Sequence, residues 1–424
     1  MTLLALTAFL FSCAAPEGDA LAGVDSRYAA ILTELAAAER DTTRNVHNSH
    51  ARQRKVAAEA KRLAFFSEAD VRAAIEKAVA EPAGSSLAVR GAVYANQVTL
   101  ATAWTAADRA EEERLLALLD EETSVQRSWQ NADGTVGIPL GSAWDETSKP
   151  GDLLDDAARA SLAEAFCAGR AVVVAEPLVA LVKLRNGVAN RAGHDSYWSF
   201  ALATQGLDPA AVTALSAELG TLVRPLLAAE MQKVAAAATK VGLADTFANH
   251  PLLRRKAGLE KGRDEADGSF DADLAEQRIL TMYSDMGFDL GSVQLYTGSK
   301  RVVRPGVYGY AIKPPSVAAV VMSNDERWSV WPYEALAHEM GHAAWWLNLG
   351  PEAAASPATW EPRAYAFEGF AQFFEHAVFE PSFAAKYVPD LSEPLRAELF
   401  DWRRRQVAAS ITDAVVTARA EQYL

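Results

Sequence analysis

The sequence predicts a mostly α-helical fold with one small β-sheet in its C-terminal half. Half of the 424 residues are hydrophobic, and runs of β-branched residues are short, a composition that favours helices. Apolar residues recur at helical spacing through residues 24–130 and again from Leu153 onwards. Between residues 292 and 323 the pattern changes to short runs that are typical of strands.

The N-terminal region, residues 21–130, is predicted to be a set of amphipathic helices. Residues 131–152 are rich in glycine, proline and polar side chains, so we place the main internal boundary there. A second helical region is expected over residues 153–424. Two regions suit the length of the chain, since single cores rarely exceed about 250–300 residues.

The first residues resemble a secretion segment. Residues 1–13 form a short apolar run that is too short to span a bilayer. Residues 10–13 (Leu-Phe-Ser-Cys) are similar to a bacterial lipoprotein cleavage box, with Cys13 as the lipidated residue. We therefore expect residues 1–20 to be the signal of an exported bacterial protein, periplasmic or membrane-anchored. Another exported form and a cytoplasmic location are the alternatives. The second cysteine, Cys167, lies in an apolar run, and no disulfide framework is expected.

The charge of the chain excludes one class of partner. The formal net charge is −14 and the isoelectric point is about 5.1. Proteins that bind nucleic acids carry basic surfaces, so no nucleic-acid partner is expected. The acidic balance is that of a soluble chain.

The most informative stretch is a helix predicted from Trp331 onwards, which contains H-E-M-G-H at residues 338–342. Residues four apart lie on one face of a helix, so His338 and His342 can point at one ion. Imidazole nitrogens suit zinc, and Glu339 is placed to act as a general base without being a ligand. The flanking residues are apolar, which predicts a buried helix. The alternative is a pair of histidines on a solvated surface.

A catalytic zinc site keeps three protein ligands and one open position. Residues 363–377 are predicted to form a second buried helix, rich in aromatic residues. The candidates for the third ligand are Glu361, Glu368, Glu375 and His376. We favour Glu368, which is expected in the middle of the apolar face of this helix, whereas Glu361 would suit an aminopeptidase. Gln372 and Glu375 are expected either to orient a ligand or to be ordinary polar positions.

These motifs resemble two families of zinc peptidases. H-E-M-G-H, a spacer of about two dozen residues and E-G-F-A-Q-F-F-E at residues 368–375 are similar to the angiotensin-converting-enzyme and thimet-oligopeptidase families, which are gluzincins. Residues 184–198 and 304–311 resemble further segments of these families, so that the likeness covers about residues 155–420. It implies a helical peptidase fold with a deep substrate cleft, covered by the N-terminal helices as a lid.

The resemblance also implies a function and its residues. One zinc ion is expected on His338, His342 and Glu368, with Glu339 as the general base, and short peptides are the expected substrates. The chain would act as an oligopeptidase or a dipeptidyl carboxypeptidase. A peptide could add to the edge of the small sheet, at residues 318–322, which makes Ala318 a candidate for substrate binding. Tyr308 and Tyr310 are candidate hydroxyl donors near the cleft, or packing residues.

The resemblance further implies that the chain is C-terminally short. In both families a later segment supplies a His and a Tyr that bond the developing oxyanion, and removing one such donor typically costs about 100–1,000-fold in rate. We therefore expect one of three outcomes: local groups such as Tyr308, Tyr310 and Tyr365 replace the donors, a partner chain completes the site, or activity is weak. The alternative function is a catalytically inactive lipoprotein that binds zinc or peptides.

Overall fold

The structure is a computed structural model of the chain. It describes residues 19–44, 49–124, 128–130, 137–139, 155–243, 249–296, 308–312, 319–323, 329–350, 353, 356–360 and 364–423. Helices dominate these residues, which confirms the prediction of a mostly α-helical fold.

The helices, in chain order, are α1 (Ala22–Arg44), α2 (Ser49–Ser67), α3 (Ala69–Val79), α4 (Ser86–Ala103), α5 (Ala106–Ser124), α6 (Asp156–Arg191), α7 (Tyr197–Thr204), α8 (Pro209–Val241), α9 (His250–Lys256), α10 (Lys261–Asp267), α11 (Ala275–Asp285), α12 (Trp331–Leu347), α13 (Pro357–Trp360), α14 (Ala364–Ala377), α15 (Pro381–Tyr387) and α16 (Glu393–Tyr423). A 3-10 turn (Ala272–Leu274) precedes α11. The strands are β1 (Ser128–Gln130), β2 (Gly137–Pro139), β3 (Gln294–Tyr296), β4 (Tyr308–Ile312) and β5 (Ala319–Ser323).

The strands form two small sheets. β1 and β2 pair antiparallel, and the other three form a sheet in the order β3-β5-β4, with β3 parallel and β4 antiparallel to β5. The prediction that residues 318–322 form an edge strand is wrong, because β5 is central and is paired on both sides. The parallel pairing of β3 with β5 passes over β4 in the sequence, and a local pattern of alternating residues carries no signal for it.

The chain divides into two compact units, each built from separated segments, and the predicted regions 21–130 and 153–424 stay a prediction. The first unit comprises residues 1–102, 204–206 and 265–400, and the second comprises residues 103–203, 207–264 and 401–424. Helices α1 to α3 therefore belong to the same unit as α12 and α14. Most of the predicted boundary at residues 131–152 lies outside the described residues, and the lid role of the N-terminal helices stays a prediction.

The first unit has an aromatic core between α1, α2 and α4. The Tyr28 ring meets Phe66 and Tyr94 edge-on, with centroids 4.9 and 5.6 Å apart. The Tyr94 hydroxyl donates a hydrogen bond to Asp25, which also pairs with Arg90. Buried aromatic pairs contribute about 0.5–1.5 kcal/mol beyond their area, and the hydroxyl is satisfied as a buried Tyr requires.

The second unit is held by a buried ion-pair network. Arg254 of α9 pairs with Glu230 of α8 and, at 2.9 Å, with Glu260. The indole Nε1 of Trp402 donates to Glu260 over 2.8 Å. Burial alone would raise the pKa of Glu260, but the Trp402 hydrogen bond and Arg254 outweigh it and lower that pKa. The network links α8, α9 and α16 within this unit.

Among the described helices, α8 is long and apolar enough to cross a membrane by length and composition alone. Its outward side chains include Leu222, which is 70% exposed.

Candidate metal centre

Helix α12, which carries the H-E-M-G-H motif, is fixed at its start and in its middle. The backbone N–H of Val330 donates to the Asp267 carboxylate over 2.9 Å. The buried Tyr283 hydroxyl donates to the backbone carbonyl of Ala337 over 2.6 Å, one residue before the first histidine. Burial raises the pKa of Tyr283, so the phenol stays a hydrogen-bond donor. Most of α12 is buried, as the apolar flanks of the motif predict.

Helix α14 crosses α12 at unusually short range. A Cβ atom built on Gly341 would lie 2.8 Å from the Cα of Ala371 and 3.3 Å from the ring of Phe374. Only glycine allows this approach without a shift of the α14 backbone. Because Ala371 is one turn after Glu368, the crossing brings the Glu368 carboxylate to the two histidines.

The crossing assembles a group of three candidate ligands. The Nε2 atoms of His338 and His342 lie 3.4 and 3.6 Å from one carboxylate oxygen of Glu368. All three ligand atoms lie within 4.8 Å of one another, so the group could hold a metal ion. The structure thus brings together the residues that the sequence analysis favoured as ligands.

Glu375 orients the first histidine. The Nδ1 atom of His338 lies 2.9 Å from the Glu375 carboxylate, so the neutral ring keeps its proton on Nδ1 and leaves Nε2, on the side of Glu368, as the nitrogen that can bind a metal. Burial by itself lowers the pKa of His338. The Glu375 hydrogen bond and the charges of Glu339, Glu375 and Glu368 outweigh that effect, so the pKa is raised.

His342 has a contrasting environment. Its side chain is 7% exposed, and its ring stacks on Phe367 with centroids 3.9 Å apart. Burial, together with the charge on His338, lowers its pKa to about 3. Its Nδ1 atom is buried without a hydrogen-bond partner among the described residues, and the aromatic stack holds the ring in place. This imidazole is neutral throughout the physiological range.

Glu368 does not lie where the sequence predicted. Its side chain is 49% exposed rather than in the middle of an apolar face. The buried face of α14 is formed by Ala371 and Phe374. Each helical residue turns the side chain by about 100°, which places Glu368 at the margin of that face. The carboxylate is therefore open to solvent on one side.

The remaining candidates are placed as follows. Glu339 is half-buried on α12, and its charge acts on His338. Tyr365 is exposed on α14, and His376 is half-buried and outside the ligand group. Strand β4, which packs against α12, carries Tyr308 and Tyr310, whose side chains are outside the described part of the structure. Ala318 and Glu361 are outside the described residues, so their roles stay predictions.

Phe367 and Gly341 were not among the residues predicted from the sequence to serve the site. A glycine inside a helix costs about 1 kcal/mol relative to alanine, so Gly341 in the middle of the motif carried a signal of close packing. Phe367 carried no comparable signal, because its contact with His342 depends on the crossing of two helices.

A surface cavity of about 640 Å³ lies elsewhere in the first unit, beside α11 and the loop that follows it. Its lining includes Glu276, Phe288 and Leu295, and none of the three candidate ligands. The deep substrate cleft implied by the family resemblance therefore stays a prediction.

Comparison with known proteins shows a fold and no sequence family. No protein-family model and no curated protein matches the chain. Solved structures do match. A protein designated oligoendopeptidase F is 14% identical, with a TM-score of 0.53, over 91% of this chain and 73% of its own. A peptidase structure from Chlamydophila abortus is 13% identical, with a TM-score of 0.55, over 94% of this chain and 68% of its own.

A third structure, Trypanosoma cruzi metallocarboxypeptidase 1, is 13% identical, with a TM-score of 0.54, over 90% of this chain and 66% of its own. The chain thus spans about two thirds to three quarters of the length of these proteins. Its finer likeness to the angiotensin-converting-enzyme and thimet-oligopeptidase families stays a prediction. What the comparisons show is that this chain shares its fold with peptidases of known structure.

Proposed function

We propose that this chain is a zinc-dependent peptidase that hydrolyses peptide bonds in short peptides. The observation that carries the proposal is the convergence of His338, His342 and Glu368 on one point, with Glu339 next to the first histidine. The shared fold with peptidases supports the same reading.

The donor set suits a zinc ion. Two imidazole nitrogens and one carboxylate oxygen are a common ligand set of catalytic zinc. His342 is already deprotonated at neutral pH because its pKa is about 3. Glu375 holds His338 in the tautomer that a ligand needs. The exposed side of Glu368 leaves room for a substrate. A zinc ion bound by these three residues would supply Lewis acidity, which polarises the scissile carbonyl and lowers the pKa of a water molecule.

Glu339 performs the proton transfers in the proposed reaction. Its carboxylate accepts a proton from the attacking water as the new C–O bond forms. It then donates that proton to the leaving amine nitrogen as the C–N bond breaks, so the carboxylate is regenerated in each turnover. His338 and His342 stay neutral, and Glu375 keeps the proton of His338 on Nδ1.

The alternative function is a zinc- or peptide-binding lipoprotein without catalytic activity. Its lipid anchor at Cys13 is a prediction, since residues 1–18 lie outside the described residues. A partner chain that completes the site is a separate prediction. Cleavage of peptides would separate the alternatives, because a pure binder has no use for a general base at residue 339.

Glu339→Gln tests the proposal. Zinc-loaded wild type is incubated with short peptides that are blocked or free at each end, beside Glu339→Gln and the control Glu380→Gln, which changes an exposed carboxylate. We expect the wild type and the control to cleave, and Glu339→Gln to lose at least about 100-fold in rate with its zinc content unchanged. Cleavage that survives in Glu339→Gln would refute Glu339 as the general base. Absence of cleavage by zinc-loaded wild type would refute the proposed peptidase activity.

A further inference from the structure

One face of α11 forms a wall of the surface cavity that lies beside this helix. Glu276, Leu280 and Ser284 all line the cavity, and because they are spaced four residues apart they lie on one face of α11. The cavity volume of about 640 Å³ falls within the range of about 300–1,000 Å³ that is usual for ligand pockets in proteins. Its size therefore suits a bound molecule.

A second wall of the cavity is a fixed turn. Gly287 ends α11 in the left-handed conformation, with a φ of 89°, which glycine adopts without strain. Its backbone N–H donates to the carbonyl of Ser284, and that of Phe288 donates to the carbonyl of Tyr283, both over 3.0 Å. The rings of Phe288 and Tyr283 lie with centroids 5.9 Å apart. This Schellman motif holds Phe288 in place, so the wall is formed before any ligand binds.

The lining of the cavity combines negative charge with apolar surface. Glu276 and Asp289 contribute exposed carboxylates, and Leu280, Phe288 and Leu295 contribute apolar side chains. None of the described residues that line the cavity is basic, so the lining itself supplies no cation for the two carboxylates. A complementary ligand therefore has a cationic group and an apolar portion.

A basic residue of a peptide has both of these properties. The methylene stem of arginine or lysine packs on apolar surface while the charged end stays among polar groups. Arginine is the better match, because its planar guanidinium can donate two parallel hydrogen bonds to one carboxylate. A pocket of this volume accommodates a molecule larger than one side chain, so the neighbouring residues of the peptide would enter with it. The net charge of −14 attracts such a peptide from a distance.

We propose that this cavity is a second binding site, for a peptide that contains arginine. The stem of the arginine side chain lies on Leu280 and Phe288, and its guanidinium bonds the carboxylates of Glu276 and Asp289. The site uses neither the three candidate ligands nor Glu339. Loss of the proposed peptidase activity would therefore leave this proposal intact.

Binding of matched peptides tests the site. Labelled peptides Ala-Ala-X-Ala-Ala, with arginine, citrulline or norleucine at X, are titrated with the full chain carrying Glu339→Gln, so that no peptide is consumed. Citrulline keeps the shape of arginine without its charge, and norleucine keeps only an apolar stem. We expect the arginine peptide to bind about fivefold more tightly than the citrulline peptide, and norleucine to bind no better than citrulline. No binding of the arginine peptide below about 1 mM would overturn the site.

Two double variants separate the cavity from the overall charge. Glu276→Gln with Asp289→Asn neutralises both lining carboxylates. The control, Asp273→Asn with Glu380→Gln, neutralises two exposed carboxylates outside the lining. We expect the preference for arginine over citrulline to disappear in the first variant and to persist in the control. An unchanged preference in the first variant would overturn the site. So would an equal loss in both, which would mean that only the net charge attracts the peptide.

Amide hydrogen exchange locates the bound peptide. Exchange in residues 286–293 should slow when the arginine peptide binds, because a ligand stabilises the segment that it contacts. Ser284→Trp changes an exposed side chain and fills the cavity, so it should remove this protection. Protection confined to α12, or protection that Ser284→Trp leaves unchanged, would overturn the site.

Competition with agmatine identifies the source of the cation. Agmatine carries a guanidinium on an apolar stem but has no peptide backbone. We expect it to compete at least about tenfold more weakly than the unlabelled arginine peptide, since it fills less of the cavity. Equal competition by the two compounds would assign the cavity to a free small cation and would overturn the peptide site.

Discussion

Two histidines on one face of α12 have pKa values shifted in opposite directions, upwards at His338 and downwards at His342. Burial lowers the pKa of both, but Glu375 and two further carboxylates outweigh burial at His338 and raise its pKa. His342 contacts the Phe367 ring instead, and its pKa falls to about 3. Sequence spacing alone makes the two residues equivalent, so the difference arises from the carboxylates of α12 and α14 beside His338 and from the Phe367 ring of α14 beside His342.

The metal-free protein should show two separate histidine titrations. We expect His338 to titrate above the ordinary value of about 6.5 and His342 far below it. The stability contribution of His338 is present below about pH 6.5 and is lost as pH rises through its raised pKa. The pH dependence for His342 runs the other way. Its contribution to stability is present above about pH 6.5 and is lost as the pH falls from about 6.5 towards 3.

The measurement is NMR of the imidazole C2 protons, assigned with His338→Gln and His342→Gln. Zinc binding at pH 6 should release about one proton from the pair, because only His338 is protonated there. Coincident titration of both rings near pH 6.5 would contradict the asymmetry.

Glu375→Gln should weaken metal binding without removing a ligand. The amide can still accept from Nδ1 of His338, but it carries no charge, so the pKa of His338 should fall. Loss of such an orienting partner typically costs about 10–100-fold in metal affinity. Zinc affinity is measured by competition with a chelator, beside Glu380→Gln, which removes one exposed carboxylate. Equal affinities for the two variants would show that Glu375 does not orient His338.

At the scale of elements, the site depends on how closely α12 and α14 approach each other. The two helices supply all three candidate ligands, and their backbones meet at Gly341 and Ala371. A methyl group added at Gly341 would contact the backbone of Ala371 rather than a flexible side chain. The clash can be removed only if α14 moves, and Glu368 moves with it.

Gly341→Ala and Gly369→Ala form a matched pair of helical substitutions. Both replace a glycine by alanine, the best helix former. Only the methyl group added at residue 341 contacts a neighbouring helix, whereas the one added at residue 369 has no atom within 4 Å. We expect Gly341→Ala to destabilise the protein by about 1–3 kcal/mol through overpacking, and to weaken zinc binding. Gly369→Ala should be neutral or should stabilise by up to about 1 kcal/mol. Denaturant unfolding and zinc titration check both. Similar behaviour of the two variants would rule out a steric role for Gly341.

The three candidate ligands could be predicted from the sequence, whereas most of the contacts around them could not. The spacing of His338 and His342 and the isolation of Glu368 in an aromatic helix are local patterns, which is why all three could be named in advance. Other features depend on pairing between distant segments. These are the exposure of Glu368, the stacking of Phe367 on His342 and the central place of β5 in its sheet. No local periodicity records such pairings.

At the scale of the whole chain, the two compact units are each built from separated segments. Residues 401–424 join residues 207–264, and residues 1–102 join residues 265–400. The glycine- and proline-rich stretch at residues 131–152 predicted the main internal boundary from its loop composition, whereas the joining of distant segments leaves no such local signal. The candidate ligands His338, His342 and Glu368 all lie in the first unit.

Glu230→Gln should loosen the second unit and leave the metal centre intact. Glu230 is 5% exposed and pairs with Arg254, whose charge would lose one of its two anionic partners. Removing one member of a buried ion pair typically costs about 3–5 kcal/mol, and Glu260 retains part of the pairing, so we expect a loss of about 3 kcal/mol or less. Amide hydrogen exchange should accelerate in α8 and α9, because local opening follows local stability.

Glu218→Gln is the matched control, since it neutralises an exposed carboxylate on the same helix. It should leave hydrogen exchange unchanged. Zinc affinity should stay within about twofold of the wild type in both variants, because the three candidate ligands lie in the first unit. A twofold change is less than about 0.5 kcal/mol. Loss of zinc binding in Glu230→Gln at a temperature where the protein stays folded would mean that the two units do not act independently. Equal exchange in the two variants would show that the Glu230–Arg254 pair does not hold α8 and α9 together.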